Sequence, residues 1–372
     1  MSLKNTQYQI KRTAALIALT FVTYYTGKYA LKGTVALYKF LNPPPPPGPT
    51  LAFGKIPHPE IKGVEFDNGE VTYQLDTVNG ALPQLPPTLT VFEVDDPEPD
   101  LLSGTKARNL AVSLGFKSQA KELSKTEYLW EEGETTRQFK INIASGNFTL
   151  TTDGKTLNQK LKAGDTYSEI EAVTRAKGML SGKGLLPETL EQGIQKTTLV
   201  AVDENGNPHK TPSLSTAQLV KVDFYRNLPV DKAIYPVFGQ KKLANVTVYL
   251  TGTREQEIEA PLIYYTTWNP VQETQATYPA KPVDLAWQEV QEGQAPVVEL
   301  RIKDADPFAE FKKLAVEKVF VREVYLAYFE DKEIQDFMIP IYVFEGEALT
   351  TDNQRAYFTA FSWAIDNEWL RD

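Results

Sequence analysis

From Lys11 to Pro49 the chain carries its most constraining feature: an uncharged apolar run, a lysine-punctuated continuation and five consecutive prolines. Thr13 to Gly27 reads TAALIALTFVTYYTG, fifteen residues without a charge or a proline. As a helix this run rises about 22 Å, short of the roughly 30 Å hydrocarbon core of a bilayer. Continuing to Leu41 supplies the length at the cost of Lys28, Lys32 and Lys39. At helical spacing these three fall within roughly 40° of one another on one face, from which they can snorkel to headgroups. The expectation is a basic tail and membrane anchor helix over residues 1–41. Lys11 and Arg12 abut it on one side, and Tyr24, Tyr25, Lys28 and Lys32 lie at the other interface, so that lipid is one partner. Two rivals are weaker. A cleaved signal peptide lacks a small-x-small site before the prolines, and a core helix is an odd neighbour for polyproline. Residues 42–50 then form a polyproline II stalk, about 3.1 Å per residue, in preference to an SH3 or WW ligand.

Charge sets the orientation. All 48 acidic residues lie beyond residue 50, with 33 of the 39 basic ones, so the body carries a formal charge of −15. A short basic tail inside and an acidic body outside predict a single-pass cell-membrane protein, N-terminus cytoplasmic and body extracytoplasmic. The acidic body also argues against a nucleic-acid partner, whose affinity needs clustered Lys and Arg. With no cysteine, thiolate catalysis, zinc–thiolate and iron–sulfur sites are excluded. Only His58 and His209 are present, so a histidine metal site or a Ser-His-Asp triad has little to draw on. No glycine-rich loop matches a phosphate or dinucleotide fingerprint. No cofactor and no metal is expected.

The body reads as three units, 51–155, 156–275 and 276–372, each with helix and antiparallel strands. In the first, Val71–Leu75 and Leu89–Val91 alternate as strands. Leu102, Ala107, Leu110, Ala111 and Leu114 recur at helical spacing before Gly115, and strands follow at Glu127–Glu131, Phe139–Ile143 and Phe148–Leu150. In the second, Thr166-Tyr-Ser-Glu169 reads as a capping box opening a helix, followed by strands at Thr197–Val202, Leu219–Tyr225, Val246–Leu250 and Glu257–Trp268. In the third, Pro282 starts a helix and Asp306-Pro307 a short one, before strands at Lys318–Phe329, Phe337–Phe344 and Tyr357–Ile365 that are apolar on both faces. The predicted fold class is α+β: an N-terminal transmembrane helix, then repeated units of helix plus antiparallel β-sheet.

A basic tail, one span and tandem helix-plus-strand units resemble the YycH/YycI type of membrane-anchored regulators, and the separate units resemble PepSY-type modules. Val324-Tyr-Leu-Ala-Tyr-Phe-Glu330 followed by Ile339-Pro-Ile-Tyr-Val-Phe-Glu-Gly346 carries most of that resemblance. It implies modulation of a sensor kinase from outside the cell. The polyproline stalk, the third unit and the Pro-rich entry depart from that pattern.

Candidates for chemistry are few. Ser103-Gly-Thr-Lys106 and Ser118-Gln-Ala-Lys121 match S-x-x-K, which on a helix sets a lysine one turn from a serine nucleophile, but neither S-D-N nor K-T-G accompanies them. Glu93, Asp95, Asp96, Glu98 and Asp100 form an acidic loop with the charge for a hard cation and without EF-hand register, and Asp203 to Pro208 is a turn before it is a calcium loop. Tyr264, Tyr265, Trp268, Tyr325, Tyr328 and Tyr342 are core residues by default and a partner-binding face if exposed together. The resulting expectation is a membrane-anchored extracytoplasmic binding or regulatory module, not an enzyme, acting through contacts with a protein partner in the envelope. The alternatives are a structural scaffold of an envelope complex, or an envelope hydrolase or acyltransferase using an S-x-x-K pair.

Overall fold

The computed structural model describes residues 48–371 apart from 68–70, 134–135, 231, 254–257, 304 and 310–311, together with 16, 20–21, 23–31 and 34. The chain divides into two compact units, Met1–Gly48 and Pro49–Asp372.

The described residues of the first unit are helical. Thr20, Thr23 and Thr26 turn their hydroxyls back onto carbonyls three or four residues earlier, and Tyr24, Tyr25 and Tyr29 are exposed. Among the described residues no helix is long and apolar enough to cross a membrane. The expected transmembrane helix, the single-pass membrane localisation and the lipid contact through Tyr24, Tyr25 and Lys28 are therefore corrected. Threonines dilute the apolar run, and Lys28 interrupts it too early for a span. Lys11, Arg12, Lys32 and the five prolines lie outside the described residues.

In the second unit, sheet outweighs helix and the strands do not sort into three repeats. The first sheet is antiparallel and nine-stranded. Its order is Lys121–Glu122, Glu127–Glu132, Arg137–Asn142, Phe148–Thr152, Leu262–Tyr265, Val246–Leu250, Leu219–Tyr225, Ile194–Val202 and Pro208–Lys210. The join falls between Phe148–Thr152 and Leu262–Tyr265, so strands expected in separate units, on either side of residue 155, share one sheet. The second sheet, also nine-stranded, runs Asn227–Val230, Ala233–Phe238, Val316–Phe329, Phe337–Thr350, Arg355–Trp363 and Val297–Ile302. Thr72–Leu75 joins it parallel to Val316–Phe329, and Thr88–Val94 joins it between Pro270–Pro279 and the start of Phe337–Thr350. The repeat reading of the α+β fold is corrected accordingly: two large sheets, each drawing strands from distant parts of the chain.

Four helices accompany the first sheet. Ser103–Ser113 and Glu169–Gly182 lie on one face and set Ala107, Ala111, Ala172, Ala176 and Leu180 against Phe139, Phe148, Val220, Val222 and Phe224. Small residues at the contact let both helices approach the sheet closely. Gly154–Lys160 and Glu188–Glu191 are shorter. Ser168, not Thr166, caps Glu169–Gly182: its hydroxyl accepts from the Glu171 amide while the Glu171 carboxylate accepts from the Ser168 amide. The Thr166 hydroxyl turns instead toward the Leu250 carbonyl on the sheet.

Val283–Gln291 packs Ala286 and Val290 on the second sheet. No helix forms at Asp306; its carboxylate accepts from the Phe308 and Lys210 amides and makes a turn. In Phe337–Thr350, Tyr342 and Phe344 enter one core cluster, and Ile341 and Val343 enter another, so both faces are covered.

A buried polar knot ties the two sheets together. Arg226 follows the first-sheet strand Leu219–Tyr225, and Glu330 follows the second-sheet strand Val316–Phe329. Arg226 Nη1 meets Glu330 Oε1 at 2.9 Å, with side chains 5% and 1% exposed. The Trp268 amide donates to the same carboxylate at 2.6 Å, the Asn245 amide group donates to its other oxygen, and Arg226 also donates to the Trp268 carbonyl. Burial pushes the Glu330 carboxyl up, while Arg226 and the Trp268 amide pull it back.

Candidate functional site

An open groove of about 800 Å³, within the size range of ligand sites, lies between Ser103–Ser113, the turn after Arg137–Asn142 and the C-terminal end of Glu169–Gly182. Ser103–Ser113 turns Lys106, Asn109, Leu110 and Ser113 into it, because residues three and four apart share a helical face. Ile141 and Ile143 form the floor, and the chain from Gly182 to Leu185, just past the end of the second helix, forms the far wall.

Lys183 closes one end. It is the C-cap residue of Glu169–Gly182, and its ammonium crosses to the end of the other helix, donating to the Ser113 carbonyl at 2.7 Å and the Ser113 hydroxyl at 3.2 Å. A cation on the last carbonyls of a helix suits the dipole there. Burial holds its ammonium below the usual lysine range, and Glu259 offsets this only in part. Glu259 is itself held by Arg175. Among the described residues no carboxylate stands within ion-pair distance of Lys183. Buried Arg137 fixes the same helix end from behind, donating to the Leu114 carbonyl at 2.8 Å, where Gly115 turns the chain at a φ of 92°.

Ser103, Lys106 and Asp100 occupy the other end of the groove. The Ser103 hydroxyl donates to Asp100 Oδ1 at 2.9 Å and accepts from the Asp100 amide at 3.0 Å, and Lys106 Nζ lies 3.0 Å from Asp100 Oδ2. Serine and lysine are thus both held by one carboxylate. The Lys106 ammonium, with Ser103 and the Leu102 amide, lowers the Asp100 carboxyl to about 2. The second S-x-x-K does not form a helical pair at all: Ser118 lies in a loop with its Oγ buried, and Lys121 lies on an exposed edge strand.

The aromatic residues do not gather into a face. Tyr265 stacks on Phe148 at 5.2 Å between centroids, and Trp268 donates its ring N–H to the Asp331 carbonyl. Tyr328 and Tyr342 are buried, donating to the Thr90 and Lys281 carbonyls, and burial pushes Tyr342 up to about 12. Tyr325 donates to Glu345 at 2.7 Å. Tyr264 alone of the six is exposed, at 43%, on the opposite side of its strand from Tyr265. Tyr264, Tyr265, Trp268, Tyr325, Tyr328 and Tyr342 are therefore not exposed together, the condition on which a partner-binding face depended. Five of these rings do packing work, since a strand in a two-sided core has no free face to lend.

His58 packs its ring against Trp363, and His209 is exposed on a three-residue edge strand. Asp203 folds onto its own turn, accepting from the Asn205 and Asn207 amides. Among the described residues no group of three or more His, Cys, Asp or Glu is arranged to hold a metal ion, the loop Glu93 to Asp100 included. Lys183 and Asn109 were missed in the sequence. The available signal was a lysine between two glycines directly after an amphipathic helix.

These carboxylates give a pH prediction. Asp100 is lowered by Lys106, Glu132 by the Lys117 and Ser118 amides, and Glu347 by Lys303. A carboxyl lowered in the folded state contributes stability above its unfolded value, and that contribution is lost as pH falls through the folded value. The melting temperature should therefore drop between pH 4.5 and about 2. Asp100→Asn should flatten the lowest part of that slope, and an unchanged slope in this variant would count against the Asp100–Lys106 pair. Glu330, raised by burial, has the opposite sign: its contribution is lost as pH rises through its folded value.

No protein-family model and no curated protein sequence matches the chain. Among solved structures, an uncharacterised protein from Eubacterium rectale ATCC 33656, determined at 1.45 Å, is similar at a TM-score of 0.40 and 9% identity. The match covers 82% of this chain and 92% of that one. At that distance the likeness carries no argument about function.

Proposed function

We propose that this protein is a binding or regulatory module that works by contact with a partner rather than by catalysis, and that the groove beside the helix Ser103–Ser113 is the recognition element. The observation that carries this reading is the groove itself. It joins a half-buried cation at one end, an apolar floor, and the exposed Asn109 amide, which has no hydrogen bond to a described residue. Convergent polar groups over apolar walls are the usual make-up of a ligand site.

Acyl transfer through Ser103 and Lys106 is the competing reading, favoured by their shared place in the groove. Against it, a carboxyl that ionises near 2 is no proton acceptor at neutral pH, and it holds both the hydroxyl and the ammonium. Panning a random peptide library with free C-termini against the full chain tests the binding reading. Enriched clones should lose binding to Asn109→Trp, which fills the groove from an exposed position. Clones that bind this variant as well as the parent, or no enrichment at all, would sink the proposal.

A further inference from the structure

The groove is asymmetric in charge. At its Asp100 end the lysine is matched by a carboxylate, whereas at the Lys183 end the ammonium meets only a neutral carbonyl and a hydroxyl. Arg175 and Lys183 share the neighbourhood of one carboxylate, Glu259, and Arg175 holds it. One ammonium is thus left without a carboxylate partner beside an apolar floor, among the described residues. An ammonium carries three donors, and Ser113 supplies both of the acceptors seen here.

The backbone around Lys183 is bare. Gly182 and Gly184 flank it, and a Cβ built on either would meet nothing within 4 Å. A main chain can therefore approach this end without meeting side chains. Leu110, one turn before Ser113, and Leu185, two residues after Lys183, line the same end.

We propose that the groove takes the C-terminal end of a peptide, with the terminal carboxylate on Lys183 and the last apolar side chains over Leu110 and Leu185. This rests on the groove being the recognition element. A single point charge beside an apolar wall fits a chain terminus, where the carboxylate and the last side chain leave the same Cα. Asn109 lies along the path of the preceding peptide units and offers them a donor and an acceptor. Glu98, at the Asp100 end, disfavours a carboxylate there and so sets the direction of the peptide.

The test uses the full chain and two probes, acetyl-seryl-leucyl-valine as its free acid and as its amide, titrated by calorimetry. A charge-assisted hydrogen bond predicts that the acid binds about tenfold more tightly. Lys183→Arg should keep that preference and Lys183→Met should abolish it. Equal binding of acid and amide to the parent protein overturns the inference while leaving the groove reading intact, and this arm does not depend on any variant folding. A preference that survives Lys183→Met overturns it as well. Should neither probe bind, and should panning also give nothing, the inference and the groove reading fall together. Library clones with no shared terminal character that are nonetheless blocked by Asn109→Trp would overturn the inference alone.

Discussion

Arg226→Met is expected to cost about 3–5 kcal/mol of unfolding free energy, roughly a fifth or more of what a domain of ordinary stability has. The change removes one partner of an ion pair that is buried on both sides and leaves the Glu330 carboxylate in the core with only the Trp268 amide and the Asn245 side chain. The charge was tolerable only while it was paired. Guanidinium titration reads the loss directly. The double variant Arg226→Met with Glu330→Leu should recover much of it, since a buried pair replaced by apolar groups is often neutral. Without Arg226 the Glu330 carboxyl rises further. Its contribution is then present at low pH and lost as pH rises, so the single variant should be relatively more stable at pH 5 than at pH 8. A single-variant cost below about 1 kcal/mol would show that the two sheets do not depend on this knot.

Gly346→Ala is expected to cost about 3 kcal/mol. Gly346 lies in the long hairpin of Val316–Phe329 and Phe337–Thr350, opposite Val321, where the register shifts between Val321 and Glu323. A Cβ there would stand 1.9 Å from the Phe320 carbonyl oxygen, which is backbone and cannot swing aside. Either the strands part or the bulge is lost, and both disturb the centre of the second sheet. Gly178→Ala is the control. It lies within the helix Glu169–Gly182, its Cβ would meet nothing within 4 Å, and the exchange should stabilise by roughly 0.5–1 kcal/mol. If both variants shift the denaturation midpoint in the same direction, the close approach at Gly346 is not what limits it.

The two cases differ in how far the sequence could announce them. Gly178 and Gly346 look alike in a one-dimensional reading; what separates them is a carbonyl contributed by a strand some two dozen residues away. Arg226 and Glu330 stand 104 positions apart, and nothing local to either marks the other.

The sequence by itself determined the elements whose signal is periodic and local. Leu219–Tyr225 and Val246–Leu250 form as strands with the bounds expected from alternation, and helices form at Ser103–Ser113 and Glu169–Gly182 where apolar spacing places them. Backbone conformation at those places is set by near neighbours. Even there the tertiary structure chose between close alternatives. Thr166/Glu169 and Ser168/Glu171 both fit a capping box, and the sheet decided by drawing the Thr166 hydroxyl to Leu250.

Strand partnership was decided only by the tertiary structure. Thr88–Val94 pairs with Pro270–Pro279, and Thr72–Leu75 runs parallel to Val316–Phe329, because a strand's hydrogen bonds carry no record of which strand will take them. The reading of three repeats followed element order and missed this. Tyr265, Trp268, Tyr328 and Tyr342 became core for the same reason, once strands stacked on both sides of them. The groove exists only because the helix Ser103–Ser113, the turn after Arg137–Asn142 and the chain from Gly182 to Leu185 come together on one sheet. Lys183 acquires its place there through its contact with Ser113, 70 positions away.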